Sequence, residues 1–175
     1  MNDICKPSEK SSGTPFDMLQ KLKRNQIRRD SGHYAIIASQ YNAKYVDSML
    51  AAALKELHSA CVKSVKVIRV PGAFEIPVVA ARLTLERSDY SAVICLGVII
   101  RGETTHAAHI ATSITDRLGE IAVNTGIPVI HEVLLLESAI QARKRCLSKH
   151  FNRGTEAAMT AIKMHQVLSD LDSDK

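Results

Sequence analysis

Tryptophan is absent from this 175-residue chain, and only three Phe and four Tyr are present. So few rings cannot furnish a series of stacking platforms, which sets aside recognition of single-stranded nucleic acid. The four cysteines, Cys5, Cys61, Cys95 and Cys146, form no CxxC pair, so neither a dithiol redox motif nor a zinc knuckle is supported. No apolar run approaches the roughly 20 residues that span a bilayer. No secretory leader is visible, and a reduced, cytoplasmic setting is expected. GxxxxGK followed by Ser or Thr is missing, as are GxGxxG and GxSxG. A P-loop, a dinucleotide fingerprint and a hydrolase elbow therefore have no support.

What remains is a chain of ordinary apolar content with a formal net charge of +5. Much of the excess lies in Lys21, Lys23, Arg24, Arg28 and Arg29. This run reads as a solvated tail rather than a nucleic-acid arm, and no membrane or nucleic-acid partner is expected. Residues 1–32 read as a flexible extension rich in polar and turn-forming residues, with a short helix over Phe16–Gln26.

From His33 onward the pattern becomes regular. HYAIIAS is a strand, and apolar residues at Tyr45/Val46, Met49/Leu50, Leu54 and Leu57 mark an amphipathic helix over Lys44–His58. KVIRV (66–70) is a second strand. Pro71-Gly72 then turns the chain into a helix with Pro77 in its first turn, running to about Arg87. Tyr90–Ile99 is nearly all apolar, as the centre of a parallel sheet requires. A helix follows His106 to Asn124. Pro128–Val133 is a fourth strand, with Leu134–Leu136 extending its apolar run. Glu137–Cys146 and Thr155–Leu168 read as helices, and 170–175 as a charged tail. The alternation predicts one α/β domain over 33–169: a three-layer sandwich, four parallel strands with helices on both faces.

Ligands in such folds bind beyond the carboxyl ends of the strands. The stretch GVIIRGETTHAAHI (97–110) therefore stands out. It leaves a buried strand, breaks at Arg101-Gly102 and delivers His106 to a helix start. The N–H groups of Glu103, Thr104 and Thr105 would favour an anion there, with a histidine able to move protons beside it. The plainer alternative is a strand–turn–helix with a surface histidine. His106 and His109 share an i, i+3 spacing, but no third metal ligand is in reach, and no metal is expected. PGAFEIP (71–77) fixes the backbone around Phe74 and Glu75; a Glu that caps the next helix explains it equally well. Arg143, Lys144, Arg145 and Lys149 could serve an anion site or a solvated helix face.

PGAFEIP (71–77), GVIIRGETTH (97–106) and NRGTEAA (152–158), in this order and at these separations, resemble the 6,7-dimethyl-8-ribityllumazine synthase family. The resemblance covers about Tyr34–Val167. It implies a flavodoxin-like fold and an enzyme of riboflavin biosynthesis that needs no metal or organic cofactor. Its substrates would be ribitylaminouracil and a dihydroxybutanone phosphate. His106 matches the proton-transfer histidine, and Gly102, Glu103 and Thr104 match the phosphate-facing loop. Arg143 corresponds to the phosphate-binding arginine, with Lys144 or Arg145 as alternatives, because the segment 137–151 is longer than the usual pattern. Tyr41 stands where a Phe stacks on the pyrimidine, and Asn42 follows it. Ala73, Phe74 and Glu75 match the segment that meets the ribityl chain, and Val98, Ile99 and Ile100 the ring pocket. Arg153, at a position usually Lys, falls near the heterocycle, and Glu156 matches the Glu of the same motif.

The resemblance also implies homo-oligomers built from pentamers, with sites shared between adjacent subunits, and riboflavin synthase as a candidate partner. His131 stands where an aromatic covers the ring, and Ala107-Ala108 replace an aromatic-acidic pair. These departures leave a non-catalytic flavin- or lumazine-binding shell protein as the alternative.

Overall fold

Strands that are apolar on both faces need cover on both faces, and the computed structural model, which describes residues 30–86 and 89–173, arranges the chain accordingly. In order, the elements are β1 (His33–Ser39), α1 (Ala43–Ser59), β2 (Ser64–Val70), α2 (Ile76–Glu86), β3 (Ala92–Ile100), α3 (His106–Thr125), β4 (Val129–Leu136), α4 (Ala139–Ala142) and α5 (Arg153–Ser173). A 3-10 turn over Ala73–Glu75 precedes α2, and a π turn over Arg143–Leu147 follows α4. The four strands are all parallel, in the order β2-β1-β3-β4. This is the expected flavodoxin-like sandwich.

Alternate residues of each strand face opposite layers. Tyr34, Ile36 and Ala38 of β1, with Ile94, Leu96 and Val98 of β3, pack against Val46, Met49 and Leu57 of α1 and Ala158 and Ile162 of α5. Ala35, Ile37, Val93 and Cys95 face Ile76 and Ala80 of α2 and Ile114 and Leu118 of α3. Cys95 is fully buried, as a small core residue should be, and burial pushes its thiol far above the ordinary range.

Several boundaries differ from the sequence reading. β2 begins at Ser64, two residues early, because an edge strand alternates exposed polar residues with half-buried ones and lacks a continuous apolar run. The segment predicted as one helix over Glu137–Cys146 is a single turn of α4 followed by the π turn. α5 starts at Arg153 rather than Thr155. The Asn152 Oδ1 accepts from Gly154 N at 2.9 Å, and its backbone carbonyl receives Thr155 N at 3.1 Å. α5 also continues to Ser173, so most of the charged segment is helical. The short helix expected over Phe16–Gln26 lies outside the described residues.

The first described residue is part of the domain core. Asp30 is buried, and its carboxylate accepts from Tyr34 Oη at 2.6 Å and Gly32 N at 2.6 Å. His165 Nδ1 of α5 lies 3.0 Å from the same carboxylate.

α1 and α5 cross closely at Gly154. A Cβ there would run into the carbonyl group of Met49, which is backbone and cannot swing aside. The Gly154→Ala variant is expected to lose about 3 kcal/mol or more of unfolding free energy, since an added carbon in a closed contact forces main-chain shifts. Denaturant unfolding of the variant beside the parent checks this; equal midpoints would show that the crossing can relax.

Candidate active site

The sheet changes direction between β1 and β3, since β2 lies to one side and β4 to the other. Loops that leave neighbouring strands in opposite senses open a crevice there. Asn42 bridges that crevice. Its backbone sits in the left-handed region at φ 57°, which a short polar side chain tolerates, and its Nδ2 donates to the Val98 carbonyl at 2.7 Å. The preceding residue, Tyr41, is 77% exposed, while its N–H is held by the Pro71 carbonyl at 3.0 Å. The ring therefore stands free on a backbone that is fixed.

The loop after β2 packs on the same end of the sheet. Gly97 of β3 makes room for it: a Cβ there would press on Val133 and on Ala73 in the 3-10 turn. Ala73 is buried, Phe74 is exposed, and Glu75 Oε2 accepts from Gly72 N at 2.9 Å. Glu75 thus caps the turn that leads into α2, which is the structural role open to it from sequence. Val98 directs its side chain into the core; Ile99 and Ile100 are partly buried as the strand leaves the sheet.

Past Ile100 the chain opens. Arg101 is tied down by its N–H to the Leu136 carbonyl at 2.8 Å and by its Nε to Glu137 at 3.2 Å. Gly102, Glu103, Thr104 and Thr105 are all exposed, and nothing lies within 4 Å of where a Gly102 Cβ would be. Thr105 places no side chain over the helix end. Ala108 N and His109 N donate to the Thr105 carbonyl at 3.0 and 3.2 Å, so the N–H groups of His106 and Ala107 are the ones that the 20-residue α3 leaves for a ligand. His106, the first residue of that turn, is exposed beside them. Among the described residues no group of three or more His, Cys, Asp or Glu could hold a metal.

A second set of candidates lies elsewhere. His131 is paired with Cys95, so it stands in the middle of β4 rather than at its carboxyl end. Its Nε2 is 2.9 Å from Thr115 Oγ1. The Thr115 hydroxyl donates to the Ala111 carbonyl at 2.9 Å, which leaves its oxygen to accept the ring's Nε2–H. Thr115 is nine residues along α3 from His106, about 13 Å at the helical rise. Within one chain, His131 and His106 do not share a pocket.

Glu132, the next residue, faces the α5 side and is 5% exposed. Its two oxygens receive Arg153 Nε at 3.0 Å and Nη2 at 2.6 Å, and Arg153 Nη1 bonds Glu156. Burial raises the Glu132 carboxyl above its ordinary value despite the Arg153 charge. Burial also opposes the Arg153 charge, but its two carboxylates outweigh that and hold it above its ordinary value. Arg143 is exposed at the start of the π turn, whereas Arg145 is half-buried and its charge reaches Glu132. The Cys146 thiol beneath is pushed up to about 11, chiefly by burial.

The candidate residues therefore fall into two groups. Tyr41, Asn42, Ala73–Glu75, Val98–Thr104 and His106 gather at the strand ends. His131 on β4 and Arg153 and Glu156 at the start of α5 form the other group, with Arg145 of the π turn near Glu132 and Arg143 exposed. Sequence reasoning missed Glu132; its one signal was a carboxylate inside the otherwise apolar run VIHEVLLL.

Fold and site together define an α/β sandwich with a ligand crevice at the sheet's reversal point, an open helix N-terminus and an exposed histidine beside it. The family model for 6,7-dimethyl-8-ribityllumazine synthase matches residues 31–169. The chain is 38% identical over 144 residues to the 6,7-dimethyl-8-ribityllumazine synthase of Stenotrophomonas maltophilia strain R551-3, covering 81% of this chain and 92% of that protein. It is 37% identical, over the same shares, to the enzyme of that name from strain K279a. The chain belongs to the 6,7-dimethyl-8-ribityllumazine synthase family, a family of transferases of riboflavin biosynthesis.

Burial lowers the His131 pKa below its ordinary value. Between the folded and unfolded values the unfolded chain binds more protons, so stability falls as pH drops below about 6.5. Replacing His131 with Phe is expected to remove this loss. Thermal unfolding of both proteins between pH 7.5 and pH 5 reads it: the midpoint difference should move in the variant's favour on acidification, and a constant difference would refute it.

Proposed function

We propose that the chain condenses 5-amino-6-(D-ribitylamino)uracil with 3,4-dihydroxy-2-butanone 4-phosphate to 6,7-dimethyl-8-ribityllumazine, releasing phosphate and water, as the penultimate step of riboflavin biosynthesis. One observation carries the reading beyond family membership: His106 stands exposed on the first turn of α3, directly after the open Gly102–Thr105 bend. A helix N-terminus with free N–H groups suits a phosphate, and an imidazole one step away suits proton transfer.

The substrate amine is its own nucleophile, so the chemistry needs positioning and proton movement more than an enzyme nucleophile or cofactor. The amine attacks the ketone and water leaves as the imine forms. Loss of the proton beside the imine expels phosphate and leaves an enol, which takes a proton on its end carbon to become a new ketone; the second nitrogen closes the ring on that ketone with loss of another water. His106 relays protons in these steps. Gly102, Glu103 and Thr104 hold the phosphate through the backbone, with a π-turn arginine as counter-charge; Arg143 extends freely into solvent for this role. Tyr41 stacks on the pyrimidine, and Ala73–Glu75 meet the ribityl chain.

The separation of the two groups supports shared sites. In this reading, the strand-end group of one protomer is completed by His131, Arg143, Arg153 and Glu156 of its neighbour in a homo-oligomer. Burial disfavours the charged form of His131, which suits an imidazole that stacks on an approaching ring.

Turnover followed by absorbance in His106→Ala is expected to fall by about 10²-fold, the usual contribution of a positioned acid/base, while pyrimidine binding persists. An unchanged rate would remove His106 from the mechanism, and no turnover in the parent would sink the reaction. A 1:1 co-assembly of His106→Ala with Arg153→Ala should regain about one quarter of parental activity, since that share of two-chain sites has both halves intact. Activity no greater than the average of the separate variants would place the site within one chain.

A further inference from the structure

Glu132 is a costly residue to place where it is. Its same-face neighbours on β4 are Ile130 and Leu134, and its side chain is 7% exposed. Burying a carboxylate costs several kcal/mol, and the attraction of a partner does no more than offset this in many proteins. The direction of the Glu132 shift says the same: burial outweighs the pull of Arg153. An apolar side chain would fill the position without that cost. The arrangement therefore calls for an explanation other than stability.

The geometry of Arg153 supplies one. Its backbone is fixed at the start of α5, where Asn152 caps the helix and Gly154 lies against Met49. Its side chain leaves this fixed point and is held by a two-pronged bond to Glu132 and a third bond to Glu156. Those bonds use three of the five guanidinium N–H groups. The side chain is 24% exposed, beside β4, which ends the sheet formed by the described residues. Two carboxylates already bond to the single positive charge and outnumber it. Such a guanidinium is a weak attractor for phosphate and a well-aimed donor for a neutral ring carbonyl.

We propose that Glu132 is a positioning residue, which aims Arg153 at the carbonyl edge of the pyrimidine substrate. The inference rests on the reaction proposed above. Glu132 touches no substrate itself; its effect passes through Arg153 and bears on the pyrimidine rather than on the phosphate substrate.

The test is a double-mutant cycle on the assembled protein: parent, Glu132→Gln, Arg153→Lys and the double variant. Gln keeps the shape but loses the charged fork, and Lys cannot be held bidentately. Glu132→Gln is expected to raise the pyrimidine KM by about tenfold while the KM of the phosphate substrate and kcat stay within about twofold. In the Arg153→Lys background the same change should have under about twofold effect. Equal rises for both substrates, an undiminished effect in the Lys background, or no rise overturns the proposal. Glu132→Asp, which keeps the charge but draws the carboxylate back, replaces Gln if that variant does not assemble, with the same expectations. If the parent shows no turnover, the reaction reading fails first. Calorimetric titration of the same four proteins with ribitylaminouracil then reads the cycle as affinities. Absence of parental binding, or a Glu132 effect that survives Arg153→Lys, overturns the positioning role as well.

Discussion

The bond from Asn42 Nδ2 to the Val98 carbonyl joins the two strands at which the sheet changes direction. Everything at the candidate site is laid out from it. Asn42, left-handed in the turn after β1, gives its own carbonyl to the N–H of Tyr45 at the start of α1, so one residue fixes a helix start and a tie to β3. With that tie in place Tyr41 is directed outward. The Pro71 carbonyl holds the next loop to it, and β3 runs two residues beyond Val98 before the open bend. A crevice between diverging loops follows from sheet order alone. Its width and its groups follow from this residue and from Gly97, whose missing side chain lets the 3-10 turn sit against β3.

The other end of the problem is the edge of β4. A parallel sheet covered on both faces leaves its polar opportunities at strand ends and edges. The chain uses both, with different chemistry at each. At the strand ends it offers backbone N–H groups and a solvent-exposed imidazole, suited to phosphate and to protons. Along β4 it offers an imidazole whose charged form burial disfavours on one face and a guanidinium held by two carboxylates on the other, suited to a flat uncharged heterocycle. The roughly 13 Å of α3 between His106 and Thr115 keeps these apart within one chain. Under the shared-site proposal, neighbouring copies of the chain would each bring one of these two groups to a common site.

Much of this was legible in the sequence, for a physical reason. Central parallel strands are apolar throughout, so Ala92–Ile100 announced itself, and α1 showed a clean helical period. The loop candidates followed because strand ends are where such folds place ligands. Elements held by exposed or polar contacts were harder to read. β2 starts early on an open edge, and α5 starts early because Asn152, not an apolar residue, sets its first turn. The pairing of Glu132 with Arg153 spans 21 residues and that of Asp30 with His165 spans 135, and no local pattern encodes either. The cap made by Glu75 was within reach, because its partner is only three residues away.

Two of the buried carboxylates, Asp30 and Glu132, show why a buried ion alone says little about role. Asp30 is ringed by donors that belong to the fold: a backbone N–H, the Tyr34 phenol and the His165 ring. Burial, with the nearby Asp30 second, drives the Tyr34 phenol far above its ordinary value, so that proton stays on the bond throughout the working pH range. That carboxylate is enclosed by its partners, and the cluster joins the start of β1 to α5. Glu132 differs in what its partner has left over. Arg153 spends part of its fork on two carboxylates and keeps the rest beside β4, which ends the sheet formed by the described residues. A carboxylate whose partners are used up within the fold anchors it; one whose partner still has donors facing outward aims that partner. By this criterion Asp30 belongs to the architecture and Glu132 to the site.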